Sequence, residues 1–252
     1  MQLTATAALV TGAASGLGAA TAAALAEQGA TVTGIDLPRA VEQAQPPAGV
    51  TLVAADVTSE TQVRAVVQAI AGGPVPLRVV VSCAGIAPAA RVVGRTGAHD
   101  LDLFSSVVMI NLLGTFNVMR LAAEAIAATE PDAEGQRGVV VNTASVAAYD
   151  GQVGQVAYAA SKGGVVAMTL PAARDLAQHG IRVNTIAPGI VDTPMMATIT
   201  PEFRTGLAAT VPFPHRLATP VEYAQLVVMV ITHDYLNGET IRMDGALRMA
   251  PR

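Results

Sequence analysis

The chain has few charged residues, few aromatic residues and a single cysteine. Only 13% of its 252 residues are charged and 3% are aromatic, with no tryptophan, whereas 52% are hydrophobic. This composition is too apolar for a disordered chain and suits a large folded core. The formal net charge of −4 gives no general attraction to nucleic acid or to an anionic membrane.

Cys83 is the only cysteine, so the chain cannot form an intrachain disulfide and we expect a reducing compartment, the cytoplasm. One cysteine and four scattered histidines make no metal-ligand cluster, and we predict no metal. The first 26 residues carry no charged side chain. They also lack a basic n-region and are interrupted by TGAASGLG, so we expect neither a signal peptide nor a membrane span.

Lysine is as scarce as cysteine. Lys162 is the only one among 15 basic residues, and it follows Tyr158 by four positions, with Ser145 thirteen positions before the tyrosine. A cation one helical turn from a tyrosine stabilises the phenolate and lowers its pKa toward the working range of an acid/base. The alternative is an ordinary i,i+4 surface pair.

Apolar runs alternate with helical patterns along the whole chain. Because the runs are continuous rather than alternating, they predict a single-domain α/β Rossmann-type doubly wound sheet of about seven parallel strands with helices on both faces. The predicted strands span 7–10, 31–35, 50–54, 77–82, 138–142, 181–186 and 239–243. The predicted long helices span 100–128 and 156–178, a shorter helix spans 221–231, and 86–99 is predicted to be a loop.

No linker or repeat divides the chain, so we treat 1–252 as one domain. Its cofactor half covers about 1–145 and its catalytic and substrate half about 145–252. Four prolines between 192 and 216 predict an irregular segment there, with one short helix, which we interpret as a lid over the site.

A glycine-rich turn follows the first predicted strand. Gly12, Gly16 and Gly18 would let the backbone approach a pyrophosphate at the N-terminus of the next helix. Asp36 ends the second strand, where a carboxylate can accept both adenosine ribose hydroxyls and repel a 2′-phosphate, which favours NAD over NADP. A turn or cap aspartate is the alternative for Asp36. Asp56, followed by Val57, would lie near the adenine or be only a loop cap.

Several motifs together resemble the short-chain dehydrogenase/reductase family. They are Thr11-Gly12-x-x-x-Gly16-x-Gly18, Asn111, Ser145, Tyr158-x-x-x-Lys162 and Pro188-Gly189. The segments VNTASVAAYDGQVGQVAYAASKGG, VPFPHRLATP and LNGETIRMDGALRM are similar to one group of this family, the type II 3-hydroxyacyl-CoA dehydrogenases, also called the 17β-hydroxysteroid dehydrogenase type 10 group.

This resemblance implies roles for the residues around the tyrosine. Tyr158 would be the acid/base, Lys162 would also bond the nicotinamide ribose, and Ser145 would hold the substrate oxygen as an oxyanion donor. Asn111 would hold a water that links Lys162 to solvent, or would instead make a local backbone bond that kinks its helix. The implied cofactor contacts are Gly12, Ser15, Gly16, Leu17, Gly18, Asp36, Asp56, Val57, Cys83, Ala84, Gly85, Tyr158, Lys162, Pro188, Gly189, Ile190 and Thr193.

The substrate side is less well marked in the sequence. Gln152 would bond a substrate carbonyl or merely face solvent. An apolar wall is expected from the lid residues Met195, Met196, Phe203, Leu207 and Phe213. The arginines expected either to meet coenzyme A phosphates or to be plain surface residues are Arg91 and Arg95, with Arg204 or Arg216. The family also implies a homotetramer built on the two long helices.

The resemblance therefore implies an NAD-dependent oxidoreductase of fatty acid metabolism that interconverts 3-hydroxyacyl-CoA and 3-oxoacyl-CoA. The alternatives are another secondary-alcohol or hydroxysteroid dehydrogenase, a 3-oxoacyl carrier-protein reductase, or a non-catalytic NAD-binding regulator. Asp36 argues against an NADPH-dependent reductase. Ser145 is not a predicted nucleophile, because no histidine lies near it in sequence and it has no G-x-S-x-G context.

Overall fold

A computed structural model describes residues 1–196 and 200–251, without the side chains of Met195 and Pro201. It contains a seven-stranded parallel sheet with the spatial order β3-β2-β1-β4-β5-β6-β7. The strands are β1 Ala7–Thr11, β2 Thr31–Asp36, β3 Val50–Ala54, β4 Leu77–Ser82, β5 Gly138–Thr143, β6 Ile181–Pro188 and β7 Thr240–Met243. The predicted fold class is confirmed.

Helices cover both faces of this sheet. They are α1 Gly16–Glu27, α2 Pro38–Gln43, α3 Glu60–Ala71, α4 Leu101–Val108, α5 Thr115–Ala127, α6 Val156–Ala177, α7 Pro201–Ala209 and α8 Pro220–Thr232. Local sequence accounts for several helix starts. Ser59 caps α3 by accepting the Gln62 N–H, and Thr219 and Glu222 form a reciprocal capping box at the start of α8.

Successive strand residues point to opposite faces and supply two separate cores. On one face Val10, Val81 and Val141 are buried with Tyr223 of α8 and with residues of α1. On the other face Leu9 and Val140 are buried with residues of α3, α5 and α6. Because both faces are covered, the strands show continuous apolar runs in the sequence.

The structure differs from the sequence predictions mainly between the strands. The predicted loop 86–99 holds a small antiparallel pair, Val93–Gly94 with Gly97–Ala98, and helix α2 was not predicted. The segment 192–216 contains a 3₁₀ turn at Pro194–Met196 as well as α7. Residues 197–199 of the predicted lid lie outside the described residues.

The long helix predicted over 100–128 runs from Leu101 to Ala127 but contains a π-helical segment, Met109–Gly114. Its outward face carries Met109, Leu113 and Phe116, which are 45–47% exposed. The whole helix is long and apolar enough to cross a membrane by length and composition alone, a test that core helices of soluble proteins also pass.

Candidate active site

Residues predicted to act together follow different strands and meet at the carboxyl edge of the sheet, where parallel α/β folds place their sites. Gly12 follows β1, and a Cβ on it would lie 2.9 Å from the Ala84 nitrogen after β4. Gly189 follows β6, donates its N–H to Met243 of β7 at 2.9 Å, and lies against Asp244. Close backbone packing therefore joins the ends of neighbouring strands.

The turn between β1 and α1 requires its glycines. Gly12 and Gly16 have φ of +67° and +53°, a region that side chains other than glycine rarely adopt. Gly18 is helical, but a Cβ there would lie 2.1 Å from the Gly12 carbonyl oxygen. The turn can be this tight only because no side chain stands between strand and helix.

The N-terminus of α1 is chemically suited to an anion. Ser15 is exposed and makes no side-chain cap, and the first turn carries no acidic residue, so the helix dipole is not offset by a carboxylate. Gly16 lies against Thr193, whose Cβ would be 3.5 Å from a Cβ at the glycine. Leu17 points into the core instead. These residues fit a pyrophosphate at the helix terminus.

Asp36 lies at the end of β2 and faces the same turn. One carboxylate oxygen accepts the Ala14 N–H at 3.0 Å and the other accepts the Leu37 N–H at 2.8 Å. Each oxygen keeps a further lone pair, so the group fits a ribose diol beside the glycine turn. Asp36 is therefore both a turn aspartate and a candidate ribose ligand.

Asp56 has the cap role that was the alternative in the sequence. Its carboxylate accepts the Thr58 N–H and hydroxyl, each at 2.8 Å, in a local turn before α3. Val57 is buried against Gly114, and its carbonyl accepts the Asn117 side chain at 2.9 Å. Of the remaining predicted cofactor residues, Pro188 ends β6 and Ile190 accepts the Ala218 N–H at 3.0 Å.

Thr11 is a site residue that the sequence interpretation did not single out beyond the motif. Its hydroxyl oxygen accepts the N–H groups of Cys83 and Ala84, both at 3.0 Å. This pair of bonds fixes the turn after β4 against the end of β1. The same turn brings Gly85 to Lys162, whose Nζ would be 3.7 Å from a Cβ at the glycine.

Lys162 is buried, with 4% of its surface exposed, and its ammonium donates to the carbonyl oxygen of Thr143 at 2.7 Å. Burial lowers the pKa of Lys162 to about 8, and the nearby Cys83 acts in the opposite direction. The alternative prediction, that Tyr158 and Lys162 form an ordinary i,i+4 pair on the surface, is therefore wrong. The anchor is the last carbonyl of β5, a residue the sequence interpretation missed although it lies two positions before Ser145.

Tyr158 lies one turn before the lysine, with its ring centroid 5.9 Å from the Nζ atom. Burial raises the pKa of Tyr158, and a hydrogen bond with Ser145 partly offsets that rise. Desolvation of the phenolate therefore sets the direction of this shift, and the lowering expected from Lys162 stays a prediction. Ser145 also accepts the Ala147 N–H at 3.1 Å.

Asn111 is fully buried within the π-helical segment of the long helix. Its side-chain oxygen accepts the Ile86 N–H at 2.8 Å, and its amide donates to the Ile86 carbonyl at 2.9 Å and to the Ser161 hydroxyl at 3.0 Å. The alternative prediction, that the Asn111 side chain bonds to its local backbone and kinks the helix, is therefore wrong. Asn111 joins the turn after β4 to helix α6, and a role in holding water stays a prediction.

Comparison with known proteins identifies the family. The family model described as short chain dehydrogenase matches residues 6–203. The chain belongs to the short-chain dehydrogenase family. It is 52% identical over 249 residues to "3-hydroxyacyl-CoA dehydrogenase type-2" of Bos taurus, covering 97% of this chain and 95% of that protein. Identity to the Drosophila melanogaster protein of the same name is 53% over 248 residues, covering 96% and 97%.

A solved structure shows the same fold. The crystal structure of 3-hydroxyacyl-CoA dehydrogenase type-2 from Mycobacterium avium superposes with a TM-score of 0.91 at 43% identity, covering 98% of both chains. This dehydrogenase is therefore an enzyme, an oxidoreductase, and the regulator alternative does not apply. Within the described residues no group of three or more potential metal ligands occurs.

An open groove of about 430 Å³ lies between residues 90–93 and 151–156 and includes Ala159, but Ser145, Tyr158 and Lys162 do not line it. The Ala90 N–H donates to the Gly154 carbonyl oxygen at 2.8 Å and so joins the two segments that line the groove. Gln152 lines the groove, but its side-chain amide donates to the Ala250 carbonyl at 3.0 Å, so it is neither free nor simply solvated. Phe203 and Phe213, from the predicted lid, are strongly exposed.

The four candidate arginines divide into two pairs. Arg204 forms an ion pair with Asp192, and Arg216 binds both oxygens of Glu222, at 2.6 and 2.9 Å. Arg91 and Arg95 are exposed, and no ion pair involves them in the part of the chain that the structure describes. Arg91 also lines the groove beside Gln152.

Proposed function

We propose that this dehydrogenase interconverts 3-hydroxyacyl-CoA and 3-oxoacyl-CoA with NAD as the cofactor. The observation that carries the proposal is the cluster of buried Ser145 and Lys162 with half-buried Tyr158, beside the glycine turn. A secondary alcohol can lose hydride only if its hydroxyl proton also leaves, and the Tyr158 phenol of this cluster supplies a proton-transfer group. The relatives named 3-hydroxyacyl-CoA dehydrogenase type-2 support the substrate class.

The chain's own groups favour a protonated phenol at Tyr158, since burial raises its pKa. That form donates a proton to a ketone oxygen in the reductive direction. Ser145, already hydrogen-bonded to Tyr158, would hold the same oxygen and stabilise charge on it. NAD, when bound, supplies or accepts the hydride, and its oxidised ring brings a positive charge that favours the phenolate needed for oxidation.

Preference for NAD over NADP follows from Asp36. Its carboxylate is held in place by the Ala14 and Leu37 N–H groups, so it cannot easily turn away from a 2′-phosphate at the adenosine ribose. Arg39, the nearby cation, is exposed on α2. A phosphate there would meet a fixed negative charge, whereas two ribose hydroxyls would find an acceptor.

The decisive experiment measures NADH formation with 3-hydroxyacyl-CoA substrates of increasing chain length, with NADP and a steroid alcohol as controls. We expect turnover with the acyl-CoA series and NAD, and a much lower kcat/KM with NADP. Turnover of the steroid or of a simple secondary alcohol alone would favour the alternative dehydrogenase assignment. NADP preferred over NAD would overturn the role given to Asp36.

Coenzyme A contacts are best tested at Arg91 and Arg95, because these two keep their charge unpaired within the described residues. Replacing both by alanine should raise KM for acetoacetyl-CoA several-fold and leave KM for NADH unchanged. Arg174→Ala is the matched control, since Arg174 lies in the last turn of α6, at the opposite edge of the sheet. An unchanged KM in the double variant would make both residues ordinary surface arginines.

We also propose that the enzyme works as a homotetramer in the cytoplasm, without a membrane partner. The exposed apolar stripe of Met109, Leu113 and Phe116 supports an interface on the long helix. The net charge of −4 gives no attraction to an anionic bilayer. A fatty-acid role follows from the substrate class proposed above.

A further inference from the structure

Helix α8 carries a tyrosine that the proposed chemistry does not use. Tyr223 is fully buried on the face of the sheet covered by α1 and α8, and it is the largest of the fully buried side chains. Its hydroxyl lies 2.6 Å from the hydroxyl of Thr143, a bond in which either group can be the donor. A buried phenol hydroxyl needs such a partner, because leaving it unpaired costs free energy.

Thr143 joins this buried pair to the active site. Its side chain points to Tyr223, while its main-chain carbonyl accepts the Lys162 ammonium at 2.7 Å. Within the described residues the Thr143 hydroxyl has one other hydrogen-bond partner, the Cys83 sulfur at 3.7 Å, which is a weak acceptor. Tyr223 is therefore the strong partner that fixes Thr143 at the end of β5.

We infer that Tyr223 is a positioning residue that acts through Thr143 to hold the carbonyl anchor of Lys162. The inference rests on the proposed function, in which Lys162 serves the reaction. Tyr223 contacts the core, Thr143 and, weakly, the Cys83 sulfur at 3.9 Å rather than the reacting atoms, so its strongest path to Lys162 is the strand end at Thr143. Two hydrogen bonds connect Tyr223 to Lys162, and both involve Thr143 of β5. One joins the Tyr223 and Thr143 hydroxyls, and the other runs from the Lys162 ammonium to the Thr143 carbonyl.

The surroundings of the lysine make this path measurable. The described ionisable groups near Lys162 are Cys83, from the end of β4, and Tyr158, on its own helix. Burial raises the pKa of Cys83 and raises the pKa of Tyr223 well above its usual value, so both stay neutral around neutral pH. The ammonium therefore depends on the Thr143 carbonyl more than on a counter-charge.

The test uses the fact that Lys162 is the only lysine in the chain. Protein labelled with ¹³C-lysine gives one side-chain Cε signal, whose titration reports the pKa of this residue without cofactor or substrate. In Tyr223→Phe the Thr143 hydroxyl keeps only its contact with the Cys83 sulfur. The Thr143 carbonyl, which accepts the hydrogen bond from the Lys162 ammonium, is then less firmly positioned. We expect the midpoint of the titration to fall by about half a unit, since a lost bond to the charged form disfavours it.

Thr143→Val supplies a second route to the same result, useful if Tyr223→Phe does not fold. Thr143→Val should lower the pKa of Lys162 by a similar amount. Thr143→Ser keeps the hydroxyl and should leave that pKa at its wild-type value. The double variant Tyr223→Phe/Thr143→Val should shift the pKa no further than Thr143→Val alone. Shifts that simply add would mean that Tyr223 does not act through Thr143, and would overturn the inference.

A matched control removes a similar hydroxyl pair elsewhere. Thr185 and Thr169 are buried with their hydroxyl oxygens 2.6 Å apart, and within the described residues neither hydroxyl is hydrogen-bonded to Thr143. Thr185→Ala should lower the stability of the fold and leave the lysine pKa unchanged. An unchanged pKa in folded Tyr223→Phe, or an equal shift in Thr185→Ala, would reduce Tyr223 to a core residue. Because the readout needs no turnover, it is independent of the substrate assignment.

Discussion

Tyr158 and Lys162 lie within one helical turn of each other. Burial favours the neutral form of both side chains, because it raises the pKa of the phenol and lowers the pKa of the ammonium. A tyrosine kept as a phenol still has the proton that reduction of a ketone requires. Ser145 is hydrogen-bonded to that phenol. The chain by itself is thus arranged as a proton donor, and the oxidative direction depends on charge brought by the bound cofactor.

Removing the phenol oxygen should stop the chemistry and leave the cofactor site intact. We expect Tyr158→Phe to lower kcat by about a hundredfold or more, the usual contribution of a positioned acid/base, while NAD still binds. Tyr149→Phe is the control, because Tyr149 is half-exposed and stacks on Arg242. Steady-state kinetics with NAD titration by fluorescence checks both. Residual turnover close to that of the unaltered enzyme would assign the proton transfer elsewhere.

Lys162 should titrate near pH 8 in the protein without cofactor, because burial opposes its charged form. The ¹³C signal of the single lysine measures this directly. Lys162→Ala should weaken both turnover and NAD binding. Lys162→Arg should not restore activity fully, since a planar guanidinium does not replace a compact ammonium. A titration midpoint at the ordinary value for lysine would contradict the buried placement.

The same pKa makes stability depend on pH in a defined direction. The folded-state pKa of Lys162 lies below the unfolded value of 10.5, so the unfolded chain binds more protons between about pH 8 and 10.5. The contribution of this residue to stability therefore rises with pH across that window, by roughly 3 kcal/mol in all. Urea unfolding of the wild type and Lys162→Met, compared at several pH values, should show a smaller rise in the variant.

Residue types and spacing predicted the candidate catalytic group, but not the partners that hold it. Thr143 and Tyr223 are eighty residues apart, and nothing in a single sequence places them together. The sequence left two roles open for Asp56; its bond to Thr58 two residues later shows the cap role, and a place near the adenine stays a prediction. Spacing shows a charge beside Tyr158 but not the depth of burial, which raises the pKa of this phenol.

At the scale of elements, long apolar runs predicted the strands to within one or two residues. Short elements were missed because they have too few residues to set a period, as in α2 and the pair at Val93–Gly94 and Gly97–Ala98. The π-helical segment at Met109–Gly114 has no sequence signature of its own. It accompanies Asn111, whose long-range bonds to Ile86 and Ser161 depend on tertiary structure.

The glycine turn gives the sharpest prediction for an element. A Cβ at Gly18 would lie 2.1 Å from the Gly12 carbonyl, so Gly18→Ala should force α1 away from β1. We expect loss of NAD binding together with a lower melting temperature. Gly206→Ala is the control, because Gly206 is also helical but has no atom within 4 Å of the added Cβ, and it should keep or raise stability. Calorimetry of both variants, with and without NAD, separates the two outcomes.

At the scale of the whole molecule, the strand order brings the two halves of the site together. The order reverses at β1 and β4, so the helices that follow these strands leave on opposite faces and open a crevice between them. Gly12–Gly18 comes from one side of that crevice, and Ser145 to Lys162 from the next strands along. The sequence predicted the doubly wound parallel sheet, because alternating strands and helices of this kind leave few other topologies, but not the strand order itself.

The exposed stripe on the long helix predicts how whole molecules associate. Met109, Leu113 and Phe116 recur at helical spacing on one face and are nearly half-exposed, so they form an apolar stripe that a second protomer could cover. Phe116→Glu should place a negative charge in the proposed interface. Within the folded protomer the guanidinium of Arg120, one turn later, can pair with the new carboxylate, so the protomer itself should stay folded. Sedimentation velocity should show smaller species than the tetramer proposed for the wild type.

The control for this change lies on a different surface of the molecule. Tyr235 is 96% exposed beyond the end of α8, so Tyr235→Glu adds the same charge away from the stripe and should leave the tetramer intact. Equal dissociation in both variants would point to net charge rather than to the helix face. A wild-type protein that sediments as a monomer would remove the interface altogether, and the apolar stripe would then need another occupant.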